Sequence, residues 1–397
     1  VNGPRNIAAP LLVALALAAC NAGGSSSLPG AAGPSGGTSP QDSAIRASGY
    51  QRACSDTRVG YMNCDVLIST KIQPNVPGLG PTDFQTAYNL PSGTKGAGQV
   101  VAIVDAYDNP NVSSNLATYR TNYGLGTANF TKYNQTGQTK NYPSGNQNWG
   151  VEIDLDVEMV SAVCPMCTII LVEANDNSTI NLFAAEKEAV TLGAHIVSNS
   201  WGGGGGSSSG GAFDHAGVTY LASAGDGGYG MQDPADYATV VSVGGTNLSK
   251  QGTTYKETVW PLTGGGCSVV TKPSWQHDPK CSERTGNDVA AVAAGVSEYD
   301  NYGYSGWITI GGTSVSSPML GGVFGLAGNA STHQSGKHFW TLKLRKLKHS
   351  LHTTIAGGVL HCPSSLSGSY LCVGDTGQYK TYGSPVGWGT PNGIGAF

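Results

Sequence analysis

From residue 81 onward the chain alternates short apolar runs with longer stretches of helical spacing. "GQVVAIVDAYD" (98–108) opens on Gly and continues in Val and Ile without polar alternation, which predicts a strand covered on both faces. A helix is expected from Asn111 to Tyr123, another over 151–163, and a strand at "TIILVEA" (168–174). "STINLFAAEKEAVTLG" (178–193) opens on Ser and closes on Gly, so its own caps bound a helix. "AHIVSNSWG", "VTYLASAGD" and "TVVSVGGT" add three strands. Apolar strands alternating with helices predict an α/β fold, a doubly wound, mostly parallel sheet with helices on both faces. Functional groups in such sheets gather beyond the carboxyl ends of the strands. Asp105, Ser200 and Asp226 stand at such ends. Near the C-terminus, Trp340, Leu344, Leu347 and Leu351 recur at helical spacing within "FWTLKLRKLKHSLH" (339–352), which predicts a packed helix with a solvated basic face.

The N-terminal pattern is different. Arg5 precedes an apolar stretch over 8–19 that is short for a membrane span. Leu17-Ala18-Ala19-Cys20 then matches a bacterial lipobox, in which cleavage precedes the cysteine and its thiol is lipidated. The Gly/Ser-rich residues that follow suit a flexible tether. We therefore divide the chain into a signal peptide (1–19), a segment (20–80) with the lipidated Cys20, a linker and a short N-terminal extension, and a main domain (81–397). The protein is expected to be exported and held at the cell envelope by a lipid anchor, or secreted.

Apart from Cys20, eight of the nine cysteines remain. They fall in near-neighbour couples, Cys54/Cys64, Cys164/Cys167, Cys267/Cys281 and Cys362/Cys372. An even number in an exported chain favours disulfides, and proximity favours these pairs among the 105 possible connectivities. The Cys164/Cys167 couple has the spacing of a redox motif or half a zinc site, but a second such couple is missing. Charged residues make up 12% and the net charge is −4. This leaves no basic footprint for nucleic acid and suits a protein that stays folded in acid.

"IGGTSVSSPML" (310–320) places Ser314 after a glycine-rich entry and before a Ser-Pro. A serine hydroxyl needs a base to act as a nucleophile, and none of the eight histidines stands in a setting that suggests one. Carboxylates are better placed. In "NWGVEIDLDVEM", Glu152 and Asp156 lie four apart and project from one helix face, where they can share a proton. Asp154 and Glu158 point elsewhere and are expected to face solvent. Asp226, in "SAGDGGYG", could donate from a protonated carboxyl to a developing oxyanion.

Taken in order, E-x-x-x-D, "SAGD" and "GGTSVSSP" resemble the sedolisin family of serine-carboxyl peptidases. "SNSWGG", "DPADYATVVSVGGTNL", "PSWQ" and "WGTPNGIGAF" extend the likeness over residues 81–397. The resemblance implies a subtilisin-like fold and endopeptidase or tripeptidyl-peptidase action on proteins or peptides at acid pH, by a monomer. It assigns Ser314 as nucleophile, Glu152 as base, Asp156 as orienting acid and Asp226 to the oxyanion-hole position. It also implies substrate contacts at Ser198, Ser200, Trp201, Gly202, Ser223 and Gly225. Two departures stand out. About sixty residues separate Cys20 from the main domain, too few for the family's long propeptide. Thr353 and Gly383 replace the acids of the family's calcium site, so no metal or other cofactor is expected. The rival reading is a surface lipoprotein that keeps the scaffold as a binding module, and the filled catalytic positions argue against it.

Overall fold

The computed structural model describes residue 3 and residues 39–71, 78–204, 209, 211–332 and 335–397. Cys20, the apolar leader and most of the linker lie outside the described residues. The main sheet runs, strand by strand, Thr254–Val259, Val241–Gln251, Thr219–Ser223, Ile196–Asn199, Val100–Ala106, Thr168–Ala174 and Asn129–Asn134, with Val289–Val292 beside Val241–Gln251. Every pairing is parallel except that of Thr254–Val259. Apart from the edge strands Thr254–Val259 and Asn129–Asn134, its strands are buried along most of their length, as expected where helices cover both faces. Ile196 and Ser198 face Gly321 of the helix Thr313–Ala327. Asn199, on the opposite face by alternation, meets Glu186 of the helix Thr179–Thr191.

Two helices carry the site. Gln147–Val163 begins one turn before the expected start at residue 151, because the Asn146 side chain accepts from the N–H groups of Asn148 and Trp149. Thr313–Ala327 contains Pro318, which cannot donate to the Ser314 carbonyl one turn earlier. That carbonyl accepts from Ser200 Oγ instead, at 3.3 Å.

The N-terminal extension is built into the body of the molecule. Tyr50–Arg52, Leu67–Ser69, Gly306–Gly311 and Ala294–Asp300 form a second, antiparallel sheet in that order. All four disulfides pair the neighbouring cysteines expected from the sequence. The single basic helix expected near the C-terminus is instead two, Lys337–Thr341 and Leu344–Ser350. Trp340 turns inward against Tyr382 and Trp388 and donates to Asp288 Oδ1 at 2.8 Å. The chain is extended at Leu342 and Lys343 before the second helix starts.

Candidate functional site

Ser314 is fully buried in the first turn of its helix, and its hydroxyl donates to Glu152 Oε2 at 2.9 Å. The Ser200 carbonyl lies 3.3 Å from the same hydroxyl. Among the described residues, no histidine is a hydrogen-bond partner of Ser314. Asp156, one turn beyond Glu152, accepts from Ser200 Oγ at 2.7 Å. The other oxygens of the pair, Glu152 Oε1 and Asp156 Oδ2, have no further partner among the described residues. Burial raises both pKa values well above the usual carboxylate range, and Asp156 and Asp105 push Glu152 up further. Asp105 stands behind the pair with both oxygens unpartnered, and burial lifts it to about 8. Its strand-end position was legible in the sequence, but its proximity to the pair was not.

Asp226 follows the strand Thr219–Ser223. Its Oδ1 accepts from the Thr313 N–H at 2.8 Å and the Thr313 hydroxyl at 2.9 Å, while Oδ2 is buried without a partner. Burial raises its pKa well above the ordinary value, with Asp65 as the next cause. Gly312, just before Thr313, has φ +129°, and a Cβ there would collide with the Asp65 carbonyl oxygen. Glycine thus allows residue 65 to approach the entry to Ser314.

Four of the six expected contact residues surround the stretch around Asp65, and a fifth, Gly225, meets Thr313. The Ser200 carbonyl accepts from the Asp65 N–H at 3.0 Å, and Trp201 and Gly202 pair antiparallel with Cys64 and Asn63. Trp201 offers only its backbone to this side, since its indole N–H donates to the Val104 carbonyl at 2.8 Å. Ser223 Oγ donates to Asp65 Oδ2 at 2.6 Å, and the Gly225 N–H meets Thr313 Oγ1 at 3.1 Å. Ser198 is the exception. Its hydroxyl lies in the core, 3.0 Å from that of Ser317, because alternation turns it toward the helix Thr313–Ala327.

Asp154 and Glu158 do not face solvent. Both are fully buried, because their helix is enclosed on every side from Trp149 to Val163. Asp154 accepts from the side chains of Asn109 and Asn115, and Glu158 from the Tyr299 N–H. Carboxyl oxygens of Asp154, Glu298 and Asp300 come within 4.8 Å of one another, and burial raises the pKa of all three.

Residues 96–389 match the subtilase family. The chain belongs to that family, in its sedolisin branch. It is 31% identical over 282 residues to kumamolisin from Bacillus sp. (strain MN-32), covering 60% of this chain and 50% of the relative. With sedolisin from Pseudomonas sp. (strain 101) it shares 27% identity over 304 residues, 65% of this chain and 52% of the relative. The chain thus spans about half the length of these curated relatives. The solved structure of Pseudomonas sedolisin, a serine-carboxyl proteinase, superposes with a TM-score of 0.64 at 25% identity, covering 80% of this chain and 96% of that one.

The branch's calcium site does not fit the residues present here. Thr353 and Gly383 offer no carboxylate, and a Cβ at Gly383 would strike the Gly374 backbone. The hydroxyl of the adjacent Ser384 is engaged by the Gly266 N–H, and Asp375 caps its own turn at the Gly377 N–H. A calcium ion draws its charge compensation from carboxylates, and this donor set supplies none directed at a common point.

The buried acids predict how stability follows pH. Asp65 is raised to about 6, Asp236 to about 7, Asp105 to about 8 and Glu173 to about 9. A carboxyl whose folded pKa exceeds its unfolded value contributes stability in full below that unfolded value, about 4. The contribution is lost as pH rises through the folded pKa. The melting temperature should therefore be highest in acid and fall steadily between about pH 4 and pH 8. Scanning calorimetry across that range checks this, and a curve flat or rising with pH would contradict it.

Proposed function

We propose that this sedolisin-type chain hydrolyses peptide bonds of proteins and peptides at acid pH, with Ser314 as nucleophile and the Glu152/Asp156 pair in place of a histidine. The observation that carries the reading is the 2.9 Å hydrogen bond from Ser314 Oγ to a buried carboxylate oxygen. Glu152 takes the hydroxyl proton as Oγ attacks the substrate carbonyl, and returns it to the leaving nitrogen. Asp156 faces Glu152 and shares a proton with it, which keeps one negative charge on a pair too close for two. Asp226, held neutral by burial, donates from Oδ2 to the oxyanion. Export is part of the same reading and is supported by the four disulfides. Attachment through a lipidated Cys20 belongs to the proposal as well.

The pH dependence of kcat/KM tests this mechanism. The pair loses its base at low pH, when both carboxyls are protonated. At higher pH Asp226 loses the proton it must donate, and the pair becomes doubly ionised. These limits give a bell on the acid side of neutrality. A histidine base would instead make activity rise through about pH 6.5. An optimum at or above neutral pH, with the fold monitored alongside, would rule out the carboxyl mechanism.

A further inference from the structure

The basic stretch near the C-terminus has no part in the candidate catalytic site. From residue 301 to residue 374 the sequence contains no Asp or Glu. The Lys and Arg residues of that span are Lys337, Lys343, Arg345, Lys346 and Lys348, all within twelve positions. They give a local charge of +5 in a chain whose net charge is −4. Folding brings them no counter-charge. All five are exposed, and none is in an ion pair among the described residues. Asp288 lies against Gly336, but it is fully buried and taken up by Arg284 and the Trp340 indole N–H.

Local packing explains why the cations face outward. Phe339 packs edge-on against Phe324 and Phe397, with ring centroids 6.2 and 5.5 Å away, which pins the first short helix from inside. In the second, Leu344–Ser350, Leu347 and Ser350 are buried. Residues three apart share one helix face, so Arg345, Lys346, Lys348 and His349 are left exposed around the rest. Leu344 lies among them and is 37% exposed. The result is a cationic surface that carries one apolar side chain. Phe324 is ten residues beyond Ser314 on the helix Thr313–Ala327, about 15 Å along its axis. The surface therefore stands at the far end of that helix from the candidate nucleophile.

We infer that this surface binds anionic lipid bilayers, its lysines and arginine meeting headgroup phosphates while Leu344 enters the headgroup boundary. Charge complementarity sets the sign of the partner, and an apolar residue among basic ones is the composition that lies in a bilayer interface. Nucleic acid also carries phosphates, but the local structure suits it poorly. Single strands are held by stacking on aromatic rings, and Phe339 and Trp340 are both turned inward. Helices that read a duplex groove present several residues to base edges, whereas these have five and seven residues in all. Export, proposed above, would bring the chain to bilayer surfaces. A lipid chain at Cys20, also proposed above, would supply the second of the two signals that firm attachment takes. The inference does not depend on the peptidase reading.

Sedimentation of the full chain with vesicles tests it. One set of vesicles is phosphatidylcholine alone, and the other is phosphatidylcholine and phosphatidylglycerol in equal parts. Each Lys or Arg near an anionic surface multiplies partitioning by roughly fivefold. The chain should therefore partition at least ~100-fold more strongly onto the mixed vesicles, and the preference should shrink as added salt screens the charges. Replacing Lys343, Arg345 and Lys346 together by Gln should remove on the order of 100-fold of that preference, with melting temperature and peptide hydrolysis unchanged. Lys343→Arg with Lys346→Arg keeps the charge and should bind like the parent. The apolar stretch over 8–19 is common to every chain compared and to both kinds of vesicle, so it cannot produce these differences. Ser314→Ala should bind as the parent does, which separates this reading from the peptidase one. Equal partition onto the two kinds of vesicle would overturn the inference, as would a triple Gln variant that keeps the parent's preference. Tighter binding to duplex DNA than to the mixed vesicles at the same salt would assign the surface to nucleic acid and overturn it too.

Discussion

Ser314→Ala is expected to lower peptide-bond hydrolysis by on the order of 10⁴- to 10⁶-fold at the acid optimum, the scale on which removing a nucleophile acts in subtilisin-type sites. The hydroxyl is the group that the buried carboxylate Glu152 engages, and it stands in the first turn of its helix. Methyl in its place keeps the helix start, because Thr313 and Asp226 still hold the preceding turn. The cost to the fold is one hydrogen bond, about 1 kcal/mol. A large loss of activity with a nearly unchanged melting temperature would therefore be the signature of a nucleophile. Assays of kcat/KM alongside thermal denaturation give both numbers. Activity comparable to the parent would remove Ser314 from the mechanism.

Glu152→Gln should cost on the order of 10²- to 10⁴-fold in kcat, since a carboxamide fills the same space but cannot take a proton at the rate-determining step. Burial makes the amide easy to accommodate, because Gln carries no charge to desolvate. Asp156→Asn should cost less, since Asp156 touches Glu152 and Ser200 rather than Ser314. Its distinguishing effect is on the acid limb of the profile. Burial and Asp105 still raise the Glu152 pKa, but without a second titrating carboxyl at 156 Glu152 loses one neighbour that raises it further, so the acid limb should move to lower pH. Measuring kcat for both variants from strongly acidic to neutral pH tests the pair as a unit. Near-parental kcat in both would show that the carboxyls do not serve as base and orienting acid.

Local spacing along the chain was enough to determine five of the seven parallel strands, the N-cap of the helix Thr179–Thr191, the four disulfide pairs and the common face of Glu152 and Asp156. Each depends on residues within a turn or a short loop of one another, and periodicity or proximity registers such relations directly. Tertiary structure alone decided the rest. Asp154 and Glu158 look like solvated residues in sequence, yet the helix that bears them is walled in by the sheet and by the hairpin Ala294–Gly311, so their carboxyls need buried partners and protons. Ser198 sits in a stretch that resembles a substrate-binding one, but strand alternation turns its hydroxyl into the core. Asp65 lies in a segment with no catalytic motif, and its side-chain partners Ser223 and Gln232 are 158 and 167 residues away in the chain. A hydrophobic pattern says which face of an element is covered, but not which distant element covers it. Burial sets the protonation state of an acid, and only the packing of those distant elements creates the burial.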